Sequence, residues 1–78
     1  SGVADYVLVR FLDKDKKRIS ELLAGLVRAS DVLGTDEEGN IYLLLVQMDE
    51  KNFRIVGDRL KQKGLKYGIV QQEGRRVE

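Results

Sequence analysis

The sequence predicts a small α+β domain, and three observations predict it. Two amphipathic helix patterns, each opened by an aspartate, alternate with strand-like runs. The most apolar run, Ile41 to Val46, follows a polar turn, Asp36-Glu37-Glu38-Gly39-Asn40, as the second arm of a hairpin does. Seventy-eight residues suffice for one modest core and no more.

The first strand is Tyr6 to Leu12, rich in β-branched and aromatic residues. Val7, Val9 and Phe11 make one apolar face, and Tyr6, Leu8 and Arg10 make the other. Asp13 or Asp15 then caps a helix expected to run from about Lys16 to Ala29. Its apolar residues Ile19, Leu22, Leu23, Leu26 and Val27 recur at helical spacing. The basic run Lys14–Arg18 reads as a solvated helix face, although lysines in a first turn oppose the helix dipole.

Asp31 to Gly34 forms a short second strand, and Ile41 to Val46 the third. Asp49 caps a second helix from Glu50 to about Lys63. Phe53, Val56, Gly57 and Leu60 share one of its faces. Gly57 there allows close approach to the sheet, at about 1 kcal/mol of helix propensity. Gly64 suits the position just past the helix end. Leu65 to Gln71 is the last strand, and Gln72 to Glu78 a polar, frayed tail. The ordered core is about residues 4–71 of a single domain.

Strand, helix, strand, strand, helix, strand with right-handed crossovers is the ferredoxin-like βαββαβ arrangement. It is a four-stranded antiparallel sheet with two helices on one face. A sheet with one wet face should alternate apolar and polar residues, and Ile41–Val46 does not. The second face is therefore expected to be covered, by a homodimer partner or a neighbouring domain.

Composition narrows function. With no cysteine and no histidine, disulfides, thiolate metal sites and the commonest general base are absent. No catalytic residue and no metal ligand set stands out. A net charge of +1 provides no field to draw nucleic acid. RNA-recognition domains share this element order, but Ile41-Tyr42-Leu43-Leu44-Leu45-Val46 lacks their spaced aromatics and flanking basic residues. No nucleic-acid polymer is expected as a partner. The longest apolar run is far short of a membrane span, so no membrane contact and a cytoplasmic setting are expected. The lack of proline and the clean ends suggest a domain cut from a longer protein, with Ser1-Gly2 as a cloning remnant. The acidic turn reads as a solvent-exposed hairpin rather than a cation site.

One segment carries a resemblance. Arg28-Ala29-Ser30-Asp31, the five residues Val32 to Asp36, then Glu37-Glu38-Gly39-Asn40-Ile41 and Leu43-Leu44-Leu45 resemble the second half of a GGDEF domain, the diguanylate cyclase fold. There an Arg-x-x-Asp motif stands five residues before the signature turn. Tyr67-Gly68-Ile69 resembles the small-residue pattern of a later strand. The signature itself is degenerate here, with no Gly-Gly pair. Arg10 or Leu12 occupies the place of the first-strand metal carboxylate, with Asp13 the one alternative. A single helix also replaces the two that hold the substrate's guanine in the family.

The resemblance therefore implies a catalytically inactive domain with no cofactor. It implies cyclic di-GMP as a ligand, bound through an inhibitory-type site at Arg28 and Asp31, closest to the PelD type of receptor in exopolysaccharide secretion. On that view the chain belongs to a larger signalling or secretion protein, the cytosolic part of a membrane-associated one included. An arginine fork bonds guanine O6 and N7, and a carboxylate accepts from N1–H and N2–H₂. Arg10, Arg54 and Arg59 are candidates to complete such a site. Arg10-Phe11-Leu12-Asp13 fits the same spacing, without the helix-to-hairpin context. The competing expectation is a ligand-free interaction or dimerisation module of the same fold.

Overall fold

A computed structural model describes residues 5–72 and 75–77. The elements are β1 (Tyr6–Phe11), α1 (Lys16–Leu23), β2 (Val32–Thr35), β3 (Ile41–Val46), α2 (Glu50–Gln62), β4 (Tyr67–Gln72) and β5 (Arg75–Arg76). All pairings are antiparallel, and the sheet order is β2-β3-β1-β4-β5. The first four strands are in the ferredoxin-like order, so the α+β, βαββαβ expectation holds.

β1 and β3 form the centre of the sheet, and strict alternation sorts their side chains. Val7, Val9, Phe11, Ile41, Leu43 and Leu45 are buried beneath Ile19 and Leu23 of α1 and Phe53 and Leu60 of α2. Each such side chain contributes about 1.5–3 kcal/mol by leaving water. The other face holds Tyr6, Leu8, Tyr42, Leu44 and Val46, which neither α1 nor α2 covers and which are half-buried.

The helix ends follow side-chain chemistry. Asp15 caps α1 by accepting from the Arg18 N–H at 3.1 Å, and Asp49 caps α2 by accepting from the Asn52 N–H at 2.7 Å. At the far end of α2, Gly64 takes φ +82°. Its N–H donates to the Lys61 carbonyl and that of Leu65 to the Leu60 carbonyl, closing a Schellman motif on two buried leucines.

Several boundaries differ from the sequence expectation: β1 ends at Phe11 rather than Leu12, and β2 at Thr35 rather than Gly34. α1 ends at Leu23 rather than Ala29. Ala24 (φ −56°, ψ 131°) and Gly25 (φ +83°) form a type II turn closed by the Leu26 N–H on the Leu23 carbonyl. Leu26 and Val27 still pack on the core, so their periodicity was a packing signal without a helix. β2 begins at Val32, one residue late, because Asp31 folds its carboxylate back instead of extending. β4 starts at Tyr67, since Leu65 belongs to the helix cap. Part of the tail is also paired rather than frayed: Gln72 ends β4, and Arg75–Arg76 pair with Gln72 and Gln71. The Val77 N–H donates to the Val70 carbonyl at 2.7 Å. Ala4 and residues 73, 74 and 78 lie outside the described residues.

Gly57 is buried where the Tyr67 hydroxyl of β4 comes over α2. A Cβ at 57 would sit well inside van der Waals contact with that oxygen. The Tyr67 ring is itself fixed edge-on to Phe53, centroids 5.9 Å apart. Gly57→Ala is expected to lower stability by about 1 kcal/mol net, overpacking outweighing the helix-propensity gain. Gly57→Ala with Tyr67→Phe, which removes the opposing oxygen, is expected to recover the loss. Urea denaturation of the two variants checks the sign of this coupling.

Candidate functional site

The Arg28–Asp31 pair sits at the corner where the loop from α1 enters β2. Arg28-Ala29-Ser30-Asp31 is a tight turn, closed by the Asp31 N–H on the Arg28 carbonyl at 3.0 Å. The Asp31 carboxylate then accepts four hydrogen bonds. Oδ2 takes the Arg28 backbone N–H (2.9 Å) and Nε (3.2 Å), and Oδ1 takes Arg28 Nη2 (3.0 Å) and the Val46 N–H (3.2 Å). Arg28 Nη2 also donates to the Val46 carbonyl.

The reason lies in the sheet. β2 pairs with β3 only as far as Val32 opposite Leu44, which leaves the backbone groups of Val46 past the end of the edge strand. A carboxylate and a guanidinium supply what another strand residue would. The Asp31 side chain is 0% exposed and the Arg28 side chain 44% exposed. Burial pushes the Asp31 carboxyl pKa up, but the hydrogen bonds from Arg28 and Val46 and the guanidinium charge outweigh it and leave it below the ordinary value of 3.8.

The structure thus brings Arg28 and Asp31 together. It presents the guanidinium to solvent and commits the carboxylate to the fold. Arg28 Nη1 meets no acceptor among the described residues, and the side chain is half exposed.

The other candidate arginines are elsewhere. Arg10 lies on the uncovered face at the opposite end of β1, four residues from the position facing Val46, or about 13 Å along the strand. Arg54, paired with Glu50 at 3.8 Å, lines a cleft against Tyr67, Ile69 and Gln72, beyond β1 from the Arg28 corner. Arg59 is exposed in the last turn of α2. Nor does Arg10-x-x-Asp13 assemble: Asp13 pairs with Arg18 at 2.6 Å.

The acidic turn is likewise spoken for. Asp36 accepts from the N–H groups of Glu38 and Asn40, from Asn40 Nδ2 and from the Tyr42 hydroxyl, all within 3.0 Å. The Asn40 amide leads in holding its pKa down, to about 2, against the desolvation that raises it. Gly39 (φ +83°) completes the turn. Among the described residues no group of three acids could hold a metal ion, and no helix is long and apolar enough to cross a membrane.

One feature escaped the sequence reading. The uncovered sheet face carries an open groove of about 520 Å³ lined by Leu8, Leu44, Val46, Tyr6, Gln47, Gln71 and Asp5. Gln47 adopts φ +48°, a conformation an L side chain seldom takes. The signal for an apolar second face was present in the unalternating run Ile41–Val46; the groove itself was not. No known protein family, curated protein or solved structure matches the chain.

Two outcomes follow from these carboxylates. Asp31→Ala removes an enclosed carboxylate and strands the N–H groups of Arg28 and Val46, and is expected to cost about 2–3 kcal/mol, against about 1 for Arg28→Ala, whose guanidinium is half in water; chemical denaturation ranks the two. Asp13, Asp31 and Asp36 all titrate lower in the folded chain than their ordinary value of 3.8. A depressed folded pKa stabilises above the unfolded value and is lost as pH falls through the folded one. The urea midpoint is therefore expected to hold steady above about pH 5 and to drop between about pH 4 and 2. Asp36→Asn should flatten that acid limb.

Proposed function

We propose that the chain is a catalytically inactive, GGDEF-like regulatory domain that binds cyclic di-GMP at the Arg28 corner. The observation that carries this reading is the state of Arg28. Its guanidinium is held in place by Asp31 and the Val46 carbonyl, yet keeps Nη1 without an acceptor among the described residues. A guanidinium held in this way loses little freedom when Nη1 meets a guanine acceptor or a phosphate oxygen. Asp31 acts here as the residue that positions Arg28, because its own acceptors are engaged. The setting proposed is cytoplasmic, within a larger signalling or exopolysaccharide-secretion protein.

A second reading has its own support. A carboxylate closed on four donors of its own chain is what an Arg-x-x-Asp kept for folding alone looks like. The chain is then an interaction module that works through its surfaces without a ligand.

Calorimetric titration of cyclic di-GMP distinguishes them. The ligand reading expects micromolar binding that falls at least about tenfold, or 1.4 kcal/mol, in Arg28→Ala and in Arg28→Lys, which keeps the charge and loses the guanidinium that Asp31 and Val46 hold in place. Both variants should keep the wild-type fold by circular dichroism. No heat with the folded wild-type chain removes the ligand reading and leaves the interaction module.

A further inference from the structure

The uncovered face can be read row by row across the sheet. Gly34, Tyr42, Arg10 and Gly68 form one row, and Val32, Leu44, Leu8 and Gln71 the next. Val46 and Tyr6 form the third. The middle row is apolar but for Gln71, and Val32 at its edge is 55% exposed.

The two glycines have no internal explanation. Neither takes a positive φ, and a Cβ on either would meet nothing within 4 Å. Glycine inside a strand weakens it and often marks close approach by something outside. These two flank Tyr42 and Arg10, which therefore stand as a ridge between residues without side chains. The opposite end of the face is concave: it is the groove lined by Leu8, Leu44 and Val46.

Charge follows the same polarity. Arg10 belongs to the ridge, while Asp5 and the Tyr6 ring border the groove. We propose that this face binds a second copy of the chain, sheet against sheet, about a two-fold axis crossing β1 at Leu8. The two β1 strands then run antiparallel. Leu8 meets Leu8 and Leu44 meets Leu44 on the axis. The ridge of each copy enters the groove of the other, with Arg10 over the partner copy's Tyr6 ring and beside its Asp5. A two-fold interface requires such self-complementarity, each contact occurring twice. An arginine over an aromatic face, next to a carboxylate, is favourable at both sites.

The area sets the strength. Four strands about 4.8 Å apart and about 20 Å long give a footprint of about 400 Å² per copy. That is half of what a standard specific interface uses, so the dimer belongs to the weak, concentration-dependent class. This inference does not rest on the cyclic di-GMP reading: titration and sedimentation can fail independently.

Sedimentation velocity of the chain from about 10 µM to about 1 mM tests it, over the range expected of a small interface. The expected result is a shift from monomer to dimer across the series. Leu8→Glu should abolish it. Arg10→Asp, checked for the wild-type fold by circular dichroism, should weaken it at least about tenfold. Arg10→Asp together with Asp5→Arg should restore it, because the two-fold brings the exchanged charges back together. A wild-type chain that stays monomeric at 1 mM overturns the proposal. So does a dimer that neither Leu8→Glu nor Arg10→Asp disturbs, or one that the charge exchange fails to restore.

Discussion

β2 is four residues long and lies at the edge of the sheet, and two aspartates hold it there. Asp31 stands immediately before it and Asp36 immediately after, and each carboxylate accepts four hydrogen bonds. A strand this short pairs with only part of β3. Unaided, it would leave Val46 unsatisfied and the hairpin free to slip. Asp31 and Arg28 complete the ladder at one end, and Asp36 closes the turn through Asn40 and Tyr42 at the other. Register matters because a slip of one residue would turn Leu33 away from the core and Val32 into it.

The helical layer is correspondingly economical. α1 has eight residues, too short to persist without tertiary packing. It ends where Gly25 turns the chain, which lets Leu26 and Val27 reach the core from a loop and delivers Arg28 to the corner. α2 is longer and better capped, and it crosses β4 at the position where residue 57 carries no side chain. Each device joins a layer to the sheet at one point: Gly25 through backbone freedom, Gly57 through missing volume, Asp31 through charge.

How far the sequence was legible depends on how local each signal is. The Asp49 cap, the Gly64 stop and the apolar run of β3 are read within a few residues, and all three elements appear as expected. The end of α1 was misread because Leu26 and Val27 continue a periodicity that Gly25 interrupts, and apolar spacing reports packing whether or not the backbone is helical. β5 depends on pairing with β4 that two polar residues do not advertise. The Arg28–Asp31 spacing was visible, but the Asp31 partner at Val46 is fifteen residues away and is fixed only when β2 and β3 pair. The groove is further out of reach, since it is built by residues from β1, β3 and β4 together.

The closure of Asp31 bears directly on how a ligand can use this corner. Taking the enclosed Asp31 carboxylate away from its donors costs about 2–3 kcal/mol, because the guanidinium side of the pair is half in water. A domain of this size is stable by only about 4–12 kcal/mol. A nucleotide that took Asp31 from Arg28 would spend a large share of a micromolar binding energy of about 8 kcal/mol on unpinning β3. A nucleotide that meets Arg28 at Nη1 leaves the pair and Val46 undisturbed. The second mode is the one the fold permits at little cost; under the proposed reading Arg28 would meet the nucleotide and Asp31 would hold Arg28 in place. The same reasoning separates the corner from the uncovered face. One is a closed set of charges with a single group, Arg28 Nη1, left without an acceptor among the described residues; the other is an apolar surface whose ridge and groove match under rotation.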